Sequence, residues 1–475
     1  MADIIQVPET SVLQFITSEQ AWYYSIVPKT IFHDSVEFYC SSEIDFSNTK
    51  EELEILFGKK IILIPVDNKE FTRILSTYYI RRDNNTGNSG LSLNSDNFLE
   101  SLINEASDIN SSDIHIESSE KVGRVRLRVD GKLTEKFIVK KEDYQSLINR
   151  IKILANIDIA EKRLPQDGKI LFRSGKQEHD IRVSILPSVF GEKAVLRILS
   201  KSAAELDLLK IGLSEAQLSA YLEGIQKSHG IVLISGPTGS GKTTTLYATL
   251  NILNKKDVNI LTIEDPVEYT IQGINQVHLR EDIGLTFSRA LKTFLRQDPD
   301  IIMLGEIRDA ETAQMAIRAA LTGHLVLSTI HTNSAWCIIA RLIDMGIPPF
   351  LVASTLNLAV AQRLVRKLCD KCKRVADKKD IKYKKLPANI ELPDVFYEPV
   401  GCDHCHHTGY SGRQAIFEVI GINNHLRDDI KFLKTDVKKY LIKQHVTNLS
   451  ESSFELLKAG KTSLDAIYPI LLSED

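Results

Sequence analysis

One stretch, from Gly230 to Thr245, constrains this chain more than any other, and it reads GIVLISGPTGSGKTTT. A short apolar run leads into a glycine-rich turn, and residues suited to starting a helix follow it. The fixed positions of a phosphate-binding loop are all filled, by Gly236, Gly241, Lys242 and Thr243. Glycines let backbone N–H groups close around the β- and γ-phosphates, and a helix N-terminus adds favourable partial charge. The stretch therefore predicts a strand, a nucleotide-binding loop and a helix, rather than a turn that binds nothing.

The loop predicts ATP as its ligand, together with Mg²⁺. We expect Lys242 to contact the terminal phosphates and the hydroxyl of Thr243 to hold Mg²⁺. The other residues expected around the phosphates are Gly236, Pro237, Thr238, Gly239, Ser240, Gly241 and Thr244.

At 475 residues the chain is too long for a single core, which predicts about three domains. Hydrophobic residues at 43% and charged residues at 25% are ordinary for a soluble globular protein. A formal net charge of −3 gives no overall attraction to nucleic acid, so any basic partner surface is expected to be local.

We expect neither a secretory signal nor a membrane span. The opening residues, MADIIQVPET, lack both a basic start and an apolar segment. The nearest approach to a spanning window, Ile347 to Val365, is interrupted by polar residues, which predicts an amphipathic helix instead. These features predict a cytoplasmic protein.

Residues 1–82 mix helical and strand-like runs and carry no phosphate loop, metal cluster or nucleophile arrangement. We interpret them as an N-terminal adaptor or docking domain, with a purely structural domain as the alternative. Residues 83–97 are polar and rich in Gly, Ser and Asn, which predicts a flexible linker.

Residues 98–202 show an α/β pattern. Helices are expected over 98–106 and 144–155, and strands over 114–117, 123–129, 170–173, 180–185 and 194–198, with a hairpin turn at Asp130-Gly131. Arg182 and Arg197 lie inside otherwise apolar strands. Each arginine either faces outward from its strand or contacts a nucleotide that is bound elsewhere, as arginines do in other P-loop enzymes.

Residues 203–365 hold the phosphate loop and three further strands that end in polar residues, over 259–269, 300–309 and 324–331. Acids at the carboxyl ends of strands beside a P-loop handle Mg²⁺ and the attacking water. Glu306 takes the Walker B position, and His331 is placed to sense the γ-phosphate. The full set of polar residues at these strand ends is Glu264, Asp265, Glu268, Glu306 and His331.

Four of the six cysteines form two C-x-x-C pairs, Cys369 with Cys372 and Cys402 with Cys405. Zn²⁺ favours four thiolates in a tetrahedron, and two such turns supply two ligands each. Redox dithiols are the competing interpretation, but thioredoxin-type motifs precede a helix in a βαβ unit. We therefore predict a zinc module over residues 366–410.

Four sequence boxes stand in order along the core: GPTGSGKTTT (236–245), TIEDPVEY (262–269), LRQDPDIIMLGEIRD (295–309) and TGHLVLSTIHTN (322–333). They resemble the nucleotide-handling boxes of the type II secretion and type IV pilus assembly ATPases. Upstream, SDIHIE (112–117), RLPQDG (163–168) and GEKAVLRIL (191–199) are similar to the domain that precedes the ATPase core in that family. The resemblance covers roughly residues 100–475.

The resemblance implies an α/β multidomain fold with a RecA-like P-loop ATPase core over 203–365. A small PAS-like α/β domain and the adaptor domain precede this core, the zinc module is inserted, and a C-terminal helical region covers 411–475. It further implies a homo-hexamer on the cytoplasmic parts of inner-membrane platform proteins. ATP hydrolysis in such a ring drives assembly of a pilin-like fibre.

The resemblance also implies individual roles. Glu268 would act as the base for the attacking water, Glu306 as the Walker B acid, and His331 near the γ-phosphate. The arginines that would reach the nucleotide are Arg182, Arg197, Arg296 and Arg308.

Two features bear on the branch of the family. Retraction ATPases generally lack the tetracysteine element, so its presence favours an ATPase that assembles a fibre over one that disassembles it. The short N-terminal region favours type II secretion over pilus extension. Two positions depart from the family pattern: Lys292 stands where arginine is common, and Asn333-Ser334 replaces Asn-Asp. Lysine offers phosphate only a point charge.

Two alternatives remain open. The run from Arg366 to Lys385 is dense in Lys and Arg, and it is either a solvated face or a contact for anionic lipid headgroups. A nucleic-acid-translocating P-loop motor is the rival function. Near-neutral charge and the lack of a basic groove interleaved with aromatic residues argue against it, so no nucleic acid is expected.

Overall fold

The computed structural model describes residues 10–68, 71–72, 74–75, 79, 98–174, 177–199, 207–376, 392–432, 444 and 446–472. The predicted linker at 83–97 and the basic run beyond residue 376 lie outside these residues. The chain forms two compact units. The first comprises Met1–Lys201, Leu368–Arg374 and Pro399–Ser411, and the second comprises Ser202–Lys367, Val375–Glu398 and Gly412–Asp475.

The first unit begins with a small three-stranded sheet. Its elements are α1 (Thr10–Leu13), α2 (Ser18–Tyr24), β1 (Ile26–Ile31), β2 (Ser35–Ser41), α3 (Phe46–Phe57) and β3 (Lys60–Val66). The strands lie in the order β1-β2-β3, with β1 antiparallel and β3 parallel to β2. Phe38, Leu53 and Ile61 are fully buried at its centre. Asp45 caps α3 by accepting hydrogen bonds from two backbone N–H groups, and Gly58 ends the helix in a left-handed conformation.

A six-stranded antiparallel sheet forms the rest of this unit's main body. Its elements are α4 (Phe98–Asp108), β4 (Asp113–Ser118), β5 (Val122–Val129), β6 (Lys132–Lys140), α5 (Lys141–Leu154), β7 (Gln166–Ser174), β8 (Gln177–Ser188) and β9 (Gly191–Leu199). The strand order is β6-β5-β4-β9-β8-β7. Leu102 and Ile148 of the two helices pack into one apolar cluster with Ile114 and Leu196 of the sheet. The helices and strands predicted from 98 to 199 are therefore confirmed.

The second unit is built on a seven-stranded sheet. Its first elements are α6 (Glu215–Ile225), β10 (Gly230–Ser235), α7 (Lys242–Leu253), β11 (Ile260–Glu264), β12 (Asn275–His278), α8 (Phe287–Phe294), β13 (Ile301–Leu304), α9 (Ala310–Leu321) and β14 (Leu325–Ile330). Then follow α10 (Cys337–Asp344), α11 (Pro349–Thr355), β15 (Leu356–Leu368), β16 (Arg374–Val375), β17 (Tyr397–Glu398), β18 (Tyr410–Gly421), α12 (Asn424–Lys431), α13 (Leu449–Lys458) and α14 (Leu464–Leu471).

The strand order of this sheet is β12-β11-β13-β14-β10-β15-β18. The pairs from β12 through β15 are parallel. Ile231 and Leu233 of β10 join one apolar cluster, whereas Val232 and Ile234 join another. Helices thus cover both faces, which is why the central strands read as continuous apolar runs.

The window from Ile347 to Val365 does not form the predicted amphipathic helix. A short helix, α11, gives way to β15 after Thr355. Tertiary context outweighs the local pattern here, because Leu358 and Val360 are buried beside the phosphate-loop strand. Among the described residues, no helix is long and apolar enough to cross a membrane.

Candidate nucleotide site and cysteine cluster

The candidate nucleotide site lies at one edge of the seven-stranded sheet. Ser235, the last residue of β10, stands opposite Ile330, the last residue of β14. Leu304 ends β13 opposite Ser328 of β14. Because these strands are parallel, the residues that follow them, Glu306 among them, emerge at the same edge as the phosphate loop.

Close backbone packing explains the glycines of the phosphate loop. A Cβ on Gly236 would lie 2.5 Å from the carbonyl oxygen of Gln362 and 2.6 Å from Ser240 Oγ. A Cβ on Gly241 would lie 2.9 Å from Gln362 Nε2, and both glycines have positive φ angles, of 150° and 88°. Only glycine therefore fits, and α7 starts directly afterwards at Lys242.

Lys242 is folded onto the loop. Its Nζ donates to the carbonyl oxygens of Gly236 at 2.8 Å and Pro237 at 3.1 Å, and only 9% of the residue is exposed. Burial lowers the pKa of Lys242, while the negative charge of Glu306 opposes that shift. The ammonium group is thus held by the backbone of the loop, near enough to Glu306 to feel its charge.

Ser240 supports the interpretation of the loop as an anion site. The residue is 3% exposed, and in the part of the chain that the structure describes its hydroxyl has no hydrogen-bond partner. A buried hydroxyl without a partner is costly unless a ligand or water satisfies it. Pro237, Thr238, Gly239, Thr243 and Thr244 are exposed around it.

Glu306 lies between a histidine and an arginine. His331 Nε2 is 3.1 Å from Glu306 Oε2, and Arg308 Nη2 donates to Glu306 Oε1. Arg308 also lies 3.5 Å from Asp265 Oδ2. Burial by itself raises the pKa of Glu306, but the hydrogen bond and charge of Arg308, followed by those of His331, outweigh it and lower the pKa overall. Glu306 is therefore ionised at neutral pH.

The structure also places the other predicted site residues. Glu268 is partly buried on the loop after β11, and its N–H donates to Tyr247 Oη at 3.3 Å. Arg296 follows α8, and its Nη1 donates to the carbonyl oxygen of Lys292 at 2.8 Å. The ammonium group of Lys292 pairs with Glu311 at 3.1 Å.

Arg182 and Arg197 lie in the first unit. They stand directly opposite each other on β8 and β9, so both side chains project from the same face of the six-stranded sheet. Arg197 Nε donates to Asp113 Oδ1 at 2.9 Å, and Arg197 is 56% exposed. The two arginines therefore lie side by side on that face.

Sequence reasoning missed Gln362 and Arg363 of β15. Gln362 Oε1 accepts a hydrogen bond from Thr245 Oγ1 at 2.8 Å. Arg363 donates to the carbonyl oxygens of Gln362 at 3.1 Å and Asn333 at 2.7 Å. The signal in the sequence was a polar pair within an apolar run, but it was attributed to an amphipathic helix.

The four paired cysteines converge in the first unit. The Sγ atoms of Cys369, Cys372, Cys402 and Cys405 all lie within 4.8 Å of one another. Three Sγ–Sγ distances, 369–402, 372–405 and 402–405, are 3.7 Å. A tetrahedral site with Zn–S bonds of about 2.3 Å has S–S edges of about 3.8 Å, so the sulfurs fit Zn²⁺.

Backbone N–H groups support this cluster. Those of Cys402 and Gly409 donate to Cys405 Sγ at 3.2 and 3.3 Å, and that of Gly401 donates to Cys372 Sγ at 3.3 Å. Such donors stabilise thiolates. His406 and His407 are not members of the cluster found among the described residues.

A parallel sheet carrying a phosphate loop, with an acid and a histidine at the same edge, defines a RecA-like P-loop ATP hydrolase. The family described as "Type II/IV secretion system protein" matches residues 94–468. The chain therefore belongs to this family, and the resemblance found in the sequence boxes is confirmed.

Named relatives agree with this assignment. The chain is 45% identical over 372 residues to the type II secretion system protein E of Aeromonas hydrophila, covering 78% of this chain and 74% of that protein. It is 50% identical over 329 residues to the protein of the same name from Pseudomonas aeruginosa, covering 69% and 66%. It is 47% identical over 364 residues to the type IV pilus assembly ATPase PilB of Myxococcus xanthus, covering 75% and 64%.

Solved structures show the same fold. The pilus retraction motor PilT with bound ADP matches 79% of this chain and 96% of its own, with a TM-score of 0.53 and 25% identity. The ATPase DotB of Legionella pneumophila gives a TM-score of 0.58 at 21% identity, covering 79% and 95%. The latter comparison supports the fold alone.

Proposed function

We propose that this protein is the motor ATPase of a type II secretion system, which drives assembly of a pilin-like fibre. The observation that carries the proposal is that Lys242, Glu306 and His331 lie at the same edge of the sheet. The chain that carries them is 45–50% identical to type II secretion system proteins E. Within the proposal the protein works as a homo-hexamer in the cytoplasm, at the inner membrane.

The phosphate loop holds ATP in this mechanism. Lys242 exchanges its contacts with loop carbonyl oxygens for contacts with the terminal phosphates, and Ser240 donates its free hydroxyl. Thr243 and Glu306 would hold Mg²⁺, which would supply positive charge to offset that of the β- and γ-phosphates. His331 and Arg308 keep the Glu306 carboxylate ionised and oriented.

Glu268 orients and deprotonates the attacking water. Cations close to the transferring phosphoryl group supply most of the remaining catalysis in such reactions. In the proposal these are Lys242 and Arg308 of the core, together with Arg182 and Arg197, whose paired placement on one sheet face suits them to approach a polyphosphate. Arg296 remains a further candidate.

The proposed partners are the cytoplasmic parts of inner-membrane platform proteins, gripped by the adaptor domain over residues 1–82. Anionic lipid is a further proposed contact, made by the basic run from Arg366 to Lys385, and no nucleic acid takes part. Four thiolates of the cysteine cluster hold Zn²⁺, which when bound crosslinks the two C-x-x-C turns.

Replacing Lys242 by alanine tests the proposal in two settings. In purified protein, Lys242→Ala is expected to abolish ATP turnover while the melting temperature is kept, whereas Lys256→Ala, an exposed lysine, leaves turnover intact. Retained activity with unchanged nucleotide affinity would refute the assignment. In the source bacterium, cells that carry the same variant are expected to stop secreting proteins and to keep their surface pili.

A pilus extension motor is the second candidate, and the 47% identity to PilB favours it. In that case Lys242→Ala abolishes pili and surface motility while secretion continues. A nucleic-acid motor is distinguished by stimulation of ATPase activity by DNA.

A further inference from the structure

A buried polar cluster lies beneath the loop that carries Glu268. Its centre is Glu264, the last residue of β11, which is 3% exposed. Glu264 Oε1 accepts hydrogen bonds from Thr262 Oγ1 at 2.6 Å and Gln276 Nε2 at 3.2 Å. Its other carboxylate oxygen, Oε2, accepts a hydrogen bond from the hydroxyl of Tyr247.

Three neutral donors thus satisfy this carboxylate, and among the described residues no cation forms an ion pair with it. Burying a carboxyl group costs free energy unless its hydrogen bonds are made. Loss of any one of these three donors would therefore destabilise the cluster. Thr262 and Tyr247 are themselves buried, and Gln276 makes further hydrogen bonds.

Tyr247 connects three parts of the site. It lies on α7, the helix that starts at Lys242, and is 0% exposed. A phenol has a single proton to donate, and the hydroxyl of Tyr247 donates it in a hydrogen bond to Glu264 Oε2. The phenol oxygen is then left to accept the backbone N–H of Glu268 at 3.3 Å. One hydroxyl therefore ties the phosphate-loop helix to the backbone of Glu268.

Gln276 of β12 fixes the far end of the same loop. Its Oε1 accepts the N–H of Ile271 at 2.7 Å, and its Nε2 donates to the carbonyl oxygen of Tyr269 at 3.2 Å. The ring of Tyr269 packs edge-on against that of Tyr247, with centroids 4.5 Å apart and an interplanar angle of 84°. The loop is held at both ends by the cluster around Glu264.

We propose that Tyr247 is a positioning residue for ATP hydrolysis: it fixes the backbone at Glu268 relative to the phosphate loop. The inference rests on the proposed function, in which Glu268 acts on the attacking water. Tyr247 would act through Glu268 and not on the phosphates directly. Small displacements of a catalytic group cost rate without weakening the binding of ATP, which is held by the loop.

Tyr247→Phe tests the role, because it removes the hydroxyl and keeps the ring. We expect kcat to fall by about 10–100-fold with KM for ATP within about twofold of the parent value. The matched control is Tyr221→Phe. Tyr221 is equally buried, and its hydroxyl also contacts α7, 2.7 Å from Thr249 Oγ1. Thr249 lies two residues after Tyr247 on this helix and therefore on a different face. We expect its kcat to stay near that of the parent.

A double-variant cycle separates positioning from general destabilisation. In a Glu268→Gln background, Tyr247→Phe is expected to cause little further loss of kcat, because the group that it positions is already inactive. An equal loss in both backgrounds, an unchanged kcat, or the same loss in Tyr221→Phe would each overturn the inference.

Should Tyr247→Phe fail to fold, Gln276→Leu releases the other end of the loop. It is expected to lower kcat at constant KM, and wild-type kcat in that variant would count against the inference. Failure of the proposed function looks different, because the parent protein itself would then show no turnover that depends on Lys242.

Discussion

His331 Nε2 lies 3.1 Å from Glu306 Oε2, and this contact joins the residues that follow two neighbouring strands, β14 and β13. Arg308 donates to the other carboxylate oxygen of Glu306. The acid is thus held on both sides, and the lowered pKa keeps it charged at neutral pH. A fixed, ionised carboxylate beside Lys242 is what binding of Mg²⁺ to a nucleotide requires.

Replacing Glu306 by glutamine should therefore abolish most of the turnover. We expect kcat to fall by at least about 100-fold while ATP still binds, because the phosphate loop is untouched. Steady-state kinetics and a fluorescent nucleotide titration measure the two effects. Glu311→Gln is the control: this acid is 65% exposed and pairs with Lys292, and its loss should leave kcat near the parent value.

Glu117 should make stability depend on acid pH. It contacts Arg124, Arg126 and Lys193 at 2.8–2.9 Å. Burial alone raises its pKa, but the hydrogen bonds from Arg126 and Lys193, with their charges, lower the pKa from 4.5 to about 2. Because the folded-state pKa is depressed, the stabilisation is complete above pH 4.5 and is lost as pH falls toward 2.

The matching measurement compares melting temperatures of the parent and Glu117→Gln. At pH 7 we expect the variant to melt about 2–4 °C lower, and at pH 3 the gap should narrow. Glu120 is an exposed acid just after β4, and Glu120→Gln should melt at the same temperature as the parent at both pH values. A gap for Glu117→Gln that is constant from pH 7 to pH 3 would contradict the prediction.

The cysteine cluster should hold about one Zn²⁺ per chain. Metal analysis of the purified protein is expected to find zinc, and Cys402→Ser should lose it together with stability. Cys337→Ser, at an exposed cysteine outside the cluster, should retain the metal. Metal-free folded protein with four freely titratable cysteines would refute the site.

Arg363 should contribute to nucleotide affinity. A Cβ on Gly236 would lie 3.3 Å from Arg363 Nη1, so the guanidinium lies against the phosphate loop. Its donation to the carbonyl oxygen of Asn333 also links the loop to the segment after His331. We expect Arg363→Ala to raise KM for ATP by about tenfold, since hydrogen bonds from charged groups are worth about 1.5–3 kcal/mol. The control is Arg341→Ala, at an exposed arginine of α10, which should leave KM for ATP unchanged. If Arg363→Ala also left KM unchanged, the prediction would be wrong.

The sequence by itself determined the phosphate loop, the strands that end at Glu264, Leu304 and Ile330, and the cysteine pairs. These features depend on local geometry: a glycine where a Cβ would collide, an apolar run buried on both faces, or a short turn that presents two thiols. Each leaves a pattern within a few residues, which is why the pattern could be interpreted without the fold.

Only the tertiary structure decided which distant side chains share the site. Gln362 and Arg363 reach the phosphate loop because β15 pairs with β10, and Tyr247 reaches Glu264 across the space between a helix and a neighbouring strand. The same pairing made a strand of residues whose pattern had predicted a helix. Contacts of this kind depend on strand order and packing between residues far apart in the chain, and a local pattern carries no record of them.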